Sequence, residues 1–363
     1  MNKKSILALG LMSGTSADGV TLCLFDIALK KVVCFKNYPY DGKLQNKILG
    51  AKDMKAPELS ELNFELGRLY ADKAEKFIKE YKINRKDIKV IGSHGQTVYH
   101  NPSSRVPNTL QIGEGAFLAR RFKGIPVVYN FRPADIAAGG SGAPFVPMFD
   151  RYLCGGKKAM LLNIGGISNV TVCLGKDTFG FDIGPGNSLS DAAVNLLSGG
   201  AKTYDKDGKI AAAYAPDIKK AEQLSKLFVG NRPPLSLERS SMAEGFIKAH
   251  FKDLALPDIS TLNYLTALII AKSLKKFILN KYEINRLYLC GGGVYNKTLV
   301  CNLGKLLPNI KIADTAEMGL HPMAKEAAAF AYLAWLTLNG RAGTCPRATG
   351  AAESSVIGCV IRQ

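Results

Sequence analysis

Apolar residues run from Ile6 to Met12 with only Gly10 among them, and return from Val20 to Ile27. Between the two runs stands the small, polar stretch Ser13-Gly14-Thr15-Ser16-Ala17-Asp18-Gly19. The pattern predicts two strands joined by a Gly-rich hairpin turn. From Pro57 to Tyr81 the residues Leu59, Leu62, Leu66, Leu69, Lys73, Phe77 and Tyr81 recur at spacings of 3 and 4. That spacing predicts a helix with one apolar face, and Pro57 suits its first turn. Ile88 to Ile91 reads as a short strand ending in a Gly92-Ser93-His94-Gly95-Gln96-Thr97 loop. Pro126 to Tyr129 reads as another strand.

The second half opens like the first. Ala159 to Ile164 predicts a strand, Gly165-Gly166-Ile167-Ser168-Asn169 a turn, and Val170 to Leu174 a returning strand. The two turns are offset by about 151 residues (Gly165 against Gly14), which reads as a duplication at domain scale and not as a short repeat. Between the halves, the small-residue stretch Ala137 to Pro144 is the candidate interdomain crossing. Leu287 to Leu289 predicts a strand ending in Cys290-Gly291-Gly292-Gly293, with Asn296 just beyond. An Ala-rich helix is expected from Pro322 to Leu338, stopped by Gly340. Strands alternating with helices in two similar halves make an α/β protein.

Composition narrows the function. The 363 residues suffice for two domains with cores of their own, and 47% apolar against 21% charged residues marks a globular chain. The net charge of +18 invites a nucleic-acid reading, but the Lys and Arg are scattered in short groups such as Lys275-Lys276, without an aromatic-interleaved stripe. No nucleic-acid partner is expected. Eight Cys without a C-x-x-C pair, and four His, fit reduced thiols and argue against a zinc site. Met1-Asn2-Lys3-Lys4 and the apolar run after it mimic a secretory leader, yet no small-x-small cleavage site follows. The longest apolar stretch, near Leu265 to Ile270, is too short to cross a bilayer. The expectation is a cytoplasmic protein with no membrane partner; a homodimer is left open.

The sequence has no G-x-x-x-x-G-K-[ST], G-x-G-x-x-G, G-x-S-x-G or H-E-x-x-H. What it offers instead is Gly-rich turns. Such turns present consecutive backbone N–H groups to an anion, though a plain hairpin turn has the same composition. The candidate phosphate-side residues are Ser13, Gly14, Thr15, Ser16, Asp18 and Gly19 in the first turn, and Gly165, Gly166, Ser168 and Asn169 in the second. Asp18 is the candidate Mg²⁺ ligand, since this ion prefers carboxylate and water oxygens. Asp182 leaves the strand Phe179-Gly180-Phe181 and meets a Gly184-Pro185-Gly186-Asn187 turn that should open a helix near Ser188. There it is either a general base at the end of a strand or a capping residue. Asp191 reads as an ordinary first-turn acid. Gly291, Gly292 and Gly293 let backbone lie against a ring or a phosphate, or make a tight βα turn. His94 in the loop after a strand, Arg132 and Asp135 as a polar pair in a loop just before the interdomain crossing, and Glu326 in an Ala-rich helix are either ligand contacts or structural groups.

Read together, these motifs resemble the anhydro-N-acetylmuramic acid kinase family. The matches are Gly10-Leu11-Met12-Ser13-Gly14-Thr15-Ser16-x-Asp18-Gly19-Val20, Gly92-Ser93-His94-Gly95-Gln96-Thr97 with His100, and Thr109-Leu110-Gln111-Ile112-Gly113. They continue with Asn130-Phe131-Arg132-x-x-Asp135-x-Ala137-x-Gly139-Gly140-x-Gly142-Ala143-Pro144, Asn163 to Asn169, Asp182-x-Gly184-Pro185-Gly186-Asn187, Gly291-Gly292-Gly293-x-x-Asn296 and Glu326-Ala327-x-Ala329-Phe330-Ala331. The resemblance implies an actin- and hexokinase-like fold of two RNase-H-like lobes with the active site in the cleft between them. The first lobe would span 1–136 plus about 336–363, the second 137–335. It implies ATP and Mg²⁺, a small-molecule sugar, and attack by water on the anomeric carbon of 1,6-anhydro-N-acetylmuramic acid with Asp182 as base. The phosphate and nucleotide side would include Gly184, Gly186, Gly291, Gly292, Gly293 and Asn296. The sugar side would include His94, Gln96, Arg132, Asp135 and Glu326. Two positions depart from the family: Thr21 stands where Asp is usual, and Ala17 where a larger apolar residue is common. A kinase of another sugar, or a nucleotide-switch protein without catalysis, would share the fold. The two hairpin turns are expected to face one cleft, with hinges near Ala137 to Ala143 and before the final helix.

Overall fold

The computed structural model describes residues 4–230 and 241–363. Met1 to Lys3, the start of the leader-like stretch, lie outside them. The chain divides into two compact units, Met1–Leu153 with Met318–Gln363, and Cys154–Glu317. Both breaks differ from the boundaries 136/137 and 335/336 expected from sequence. Ala137 to Pro144 is not the crossing. Ser141 N donates to Thr349 O at 2.8 Å and Ala352 N to Ala138 O at 2.9 Å, which fastens this stretch to the first unit's own C-terminal segment. The whole helix Lys325–Leu338 also belongs to the first unit, because it packs on that unit's strands.

Along the chain the strands are β1 (Leu7–Ser13), β2 (Gly19–Asp26), β3 (Lys31–Pro39), β4 (Ile88–Asn101), β5 (Asn108–Ile112) and β6 (Val127–Tyr129). The second unit adds β7 (Lys158–Ile164), β8 (Ile167–Leu174), β9 (Asp177–Pro185), β10 (Arg286–Cys290) and β11 (Lys311–Asp314), and β12 (Cys359–Ile361) returns to the first. The first sheet has the order β12-β6-β4-β1-β2-β3, with β5 on β4; the second has β11-β10-β7-β8-β9. In the first, β1, β2 and β3 are antiparallel and β4 and β6 run parallel to β1. In the second, β7, β8 and β9 are antiparallel and β10 and β11 run parallel to β7. The orders β3-β2-β1-β4-β6 and β9-β8-β7-β10-β11 are the same, so the duplication read from two turns extends to whole sheets.

β1 is apolar at nearly every position because both faces of its sheet are covered. Leu9 and Leu11 join the core beneath the helix Ala56–Glu80, and Ala8 joins the opposite core with Phe25, Val90 and the helix Lys325–Leu338. The long helix observed matches the one expected from Pro57 to Tyr81 within a residue at each end. In the second unit the helix Leu256–Leu274 packs on Met160, Leu162 and Ile164 of β7.

One pair of glycines sets how close a helix can come. Gly10 of β1 and Gly92 of β4 are cross-strand neighbours. A Cβ on Gly10 would lie 1.8 Å from Ala327 O, and one on Gly92 2.2 Å from Phe330 O. The helix Lys325–Leu338 therefore rests on bare backbone, and Ala327, Ala331 and Ala334 are small where it touches down.

Candidate active site

The first hairpin turn has a buried base and an exposed rim. Ser13 is 2% exposed. Its hydroxyl lies 2.6 Å from Gln96 Oε1 and 2.9 Å from Gly19 O, and it accepts from Tyr40 Oη at 3.0 Å. Gln96 Nε2 donates to Gly14 O at 3.0 Å. Ser13 and Gln96 thus brace the turn from behind. Thr15, Ser16 and Asp18 form the exposed rim, and Ala17, buried at φ 50°, turns the chain back. Ala17 joins the apolar core of the first unit, and nothing in the structure explains why it is smaller than the residue common in the family. Gly19 is required by close approach, since a Cβ there would sit 2.5 Å from Tyr38 O. Thr21, the other departure, donates to Asn37 Oδ1 at 3.2 Å.

Gly92 to Thr97 are not a loop. They continue β4, held by β1 on one side and, from Gln96 onward, by β5 on the other. Arg132 and Asp135 also leave the expected loop and sit in the short helix Arg132–Ala137. The structure brings His94 and Arg132 together: Arg132 Nε donates to His94 Nε2 at 3.1 Å, and His94 Nδ1 lies 2.9 Å from Gly95 O. With Nε2 accepting, the proton belongs on Nδ1, where Gly95 O takes it. Burial pushes the imidazole down to about 3, and the neighbouring guanidinium pushes the same way. His94 is therefore neutral at pH 7 and lies tilted against Phe330, with ring centroids 4.5 Å apart. Burial lowers Arg132 to about 10, opposed by the Glu326 carboxylate, so it keeps its charge. Asp135 is fully buried; its Oδ2 accepts from Gly142 N at 2.8 Å, and its Oδ1 has no hydrogen-bond donor among the described residues.

In the second unit three Gly-rich turns meet. Gly186 N donates to Gly166 O at 2.8 Å and Asn187 N to Gly165 O at 2.7 Å. Gly291, at φ 81°, has no room for a side chain, since a Cβ would lie 2.5 Å from Asn163 Oδ1. Ser168 is buried with its hydroxyl on Gly184 O at 3.1 Å, so like Ser13 it braces a turn from behind. Gly166 and Gly292 are exposed. Asp182 stands on β9 opposite Asn169, half-buried, two residues before this junction. The helix after it runs Ser188–Leu197, where the sequence placed its start. Asn296 caps the helix Lys297–Leu306 through Leu299 N at 3.0 Å and accepts from Asn263 Nδ2 at 3.0 Å.

Two residues here escaped the sequence reading. Asp191 is no ordinary first-turn acid: burial, then the charge of Asp205, push its carboxyl up to about 7. Asp205 lies 14 positions away (205 − 191), so no local pattern signals the pair. Asn263, 1% exposed on the helix Leu256–Leu274, donates to Asn296 and accepts from Asn302 Nδ2 at 3.1 Å. One turn on, Thr266 Oγ1 donates to Gly186 O at 3.1 Å. These polar positions interrupt an otherwise apolar helix, and that interruption is the signal that could have found them.

Two units with one strand order, each opened by a Gly-rich hairpin turn, define the actin- and hexokinase-like fold class. Residues 6–363 match the family model described as anhydro-N-acetylmuramic acid kinase, and the chain belongs to that family. The anhydro-N-acetylmuramic acid kinase of Caldanaerobacter subterraneus subsp. tengcongensis is 37% identical over 385 aligned positions, 98% of this chain and 97% of the relative. Among solved structures, an activator of the 2-hydroxyisocaproyl-CoA dehydratase from Clostridium difficile with bound ADPNP aligns at TM-score 0.43 and 12% identity, over 91% of this chain and 94% of that one. A ROK family glucokinase from Streptomyces griseus in complex with glucose and AMPPNP aligns at TM-score 0.42 and 12% identity, over 91% and 99%. Among the described residues, no helix is long and apolar enough to cross a membrane.

Proposed function

We propose that this chain uses ATP to open the anhydro bridge of 1,6-anhydro-N-acetylmuramic acid and phosphorylate the freed 6-hydroxyl, yielding N-acetylmuramic acid 6-phosphate and ADP in the cytoplasm, as a step of cell-wall recycling. The observation that carries the reading is the setting of Asp182, a half-buried carboxylate two residues before a junction of three Gly-rich turns. Asp182 takes a proton from water as the water oxygen bonds to the anomeric carbon. The bond from that carbon to the bridging oxygen breaks. The bridging oxygen, now the 6-oxygen, bonds to the γ-phosphorus, and the bond from that phosphorus to the β-phosphate oxygen breaks, releasing ADP. One carboxylate suffices because the departing oxygen is captured by phosphorus and needs no separate acid, unlike the glycosidases with two.

Thr15, Ser16, Gly14, Gly166 and Gly292 offer hydroxyl and backbone donors to phosphate oxygens. Ser13, Gln96 and Ser168 hold those turns in shape. On the sugar side, the neutral His94 holds Arg132, and Asp135 Oδ1 is a buried acceptor without a donor among the described residues, an expensive state that a substrate hydroxyl would relieve. Glu326 completes this side. Mg²⁺ fits a single exposed carboxylate, because it keeps several waters and substrate phosphates as ligands. Asp18 is that carboxylate, and the ion would neutralise charge on the transferring phosphoryl group.

ADP release measured with and without the anhydro-sugar tests the reading. Asp182→Asn keeps shape and hydrogen bonding but cannot take the proton, so turnover falls by about 10²–10⁴-fold while sugar and ATP still bind. In oxygen-labelled water the label enters at the anomeric carbon. Label on the phosphate, or near-normal turnover by the variant, would sink the mechanism.

A further inference from the structure

The first unit contains a buried ion pair that the chemistry above does not use. Lys325 and Asp150 are 4% and 0% exposed, and Lys325 Nζ lies 2.9 Å from the Asp150 carboxylate oxygens. Removing two charges from water is costly, and apolar residues of similar size often serve stability as well or better. Such a pair calls for a role beyond stability. Its placement supplies one. Asp150 is on the helix Val146–Cys154, whose core side is fixed by Phe149 against Phe25, ring centroids 5.3 Å apart. Tyr152 of the same helix stacks on Tyr332 at 4.1 Å and 19°. Lys325 opens the helix Lys325–Leu338, and the next residue is Glu326, whose charge acts on Arg132. Arg132 in turn donates to His94.

We propose that Asp150 and Lys325 are positioning residues that hold the first turn of the Lys325–Leu338 helix so that Glu326 meets Arg132 in the geometry the sugar requires. The stacked tyrosines fix the middle of that helix, and the glycine seats fix its height over the sheet. The ion pair adds a polar anchor at Lys325 itself, the residue next to Glu326. The inference rests on the reading of Glu326 and Arg132 as sugar-side residues.

The test uses the whole protein and measures KM for the anhydro-sugar and for ATP separately, with the unfolding midpoint. Asp150→Leu with Lys325→Met removes both charges and leaves no orphan. The expected result is an unfolding midpoint near that of the unaltered chain, a sugar KM raised about tenfold or more by the lost positioning, and an ATP KM within about twofold. Adding Glu326→Gln to that pair raises sugar KM no further, because Glu326 is already misplaced. If the double variant does not fold, Lys325→Arg and Lys325→Met are compared: the first, which keeps the pair, retains a sugar KM at least severalfold below that of the second. An unchanged sugar KM in the double variant, a full additional effect of Glu326→Gln upon it, or equal values for Arg and Met at 325 would overturn the proposal. Glu326→Gln in the otherwise unaltered chain separates the two levels. If it leaves sugar KM unchanged, the sugar-side reading fails and takes the positioning role with it. If it raises sugar KM while the double variant does not, only the positioning role fails.

Discussion

Gly10→Ala adds one methyl group under the helix that carries Glu326. Its Cβ would stand 1.8 Å from Ala327 O and 2.8 Å from Ala331 N, both backbone atoms that no rotamer change can move. An ordinary carbon–oxygen contact is about 3.3 Å, so the helix must retreat by roughly 1.5 Å or the strand must bend. Overpacking of this kind costs about 1–3 kcal/mol, and with backbone on both sides the upper end applies. The first unit, Met1–Leu153 with Met318–Gln363, has 199 residues. For a unit of that size, about 3 kcal/mol lowers the thermal midpoint by about 6–12 °C. Calorimetry of the purified variant reads that shift, and kinetics at a temperature where it remains folded read the displaced Glu326 as a higher sugar KM. A midpoint within about 1 °C of the unaltered protein would refute the close seating of helix on sheet.

Gly304→Ala is the opposite case: Gly304 lies inside the helix Lys297–Leu306 with open space where a Cβ would go, so the variant should gain up to about 1 kcal/mol in denaturant titration. His94 is neutral in the fold and has an ordinary value near 6.5 when unfolded, so the unfolded chain binds the extra proton. Its contribution is complete above about 6.5 and is lost as pH falls toward about 3, by up to about 1.4 kcal/mol per unit. Substituting His94→Gln should therefore flatten the stability–pH curve between those limits, and an unflattened curve would count against the buried neutral ring. Asp191 has the reverse sign, since its folded value is raised from 3.8 to about 7. Stability is lost as pH rises across that interval, and Asp191→Asn should gain most, relative to the native chain, at pH 8. Asn263→Leu removes the bond to Asn296, and steady-state kinetics should show ATP KM rising while sugar KM stays put.

Much of the architecture was legible because the core strands are continuous apolar runs. Covering both faces of β1 forces Leu9 and Leu11 one way and Ala8 the other, and a doubly covered strand cannot hide in sequence. The long helix was legible for the opposite reason: only one of its faces is covered. β4 was cut short at Ile91 because Gly92, Gly95 and the polar Ser93, His94 and Gln96 do not look like strand. Gly92 is there for the helix above it, Gln96 braces the hairpin turn and His94 accepts from Arg132, so tertiary partners erased the strand signal. The domain boundary was misplaced for a related reason. Small residues from Ala137 to Ala143 suggested a linker, whereas they allow close approach, with a Cβ on Gly140 only 2.3 Å from Asp135 Oδ2. Asp182, with its Gly-Pro-Gly turn, was visible locally; Asp191 and Asn263 were not, because their partners are remote in sequence.

The second unit is one continuous stretch, Cys154–Glu317, and the first is interrupted by it. On a ribosome this inverts the order of completion. The strands β1 to β6 emerge first, but the face bearing Ala8, Phe25 and Val90 has only the helix Val146–Cys154 against it until the Lys325–Leu338 helix is made. At about 5–20 residues per second, the 185 residues from Cys154 to Leu338 take roughly 10–40 s to synthesise. The second unit holds all its own strands within that interval and can close its sheet while the first still waits. The bare glycine pair Gly10 and Gly92, which later lets the helix sit so low, is in that interval the floor of a part-covered apolar face.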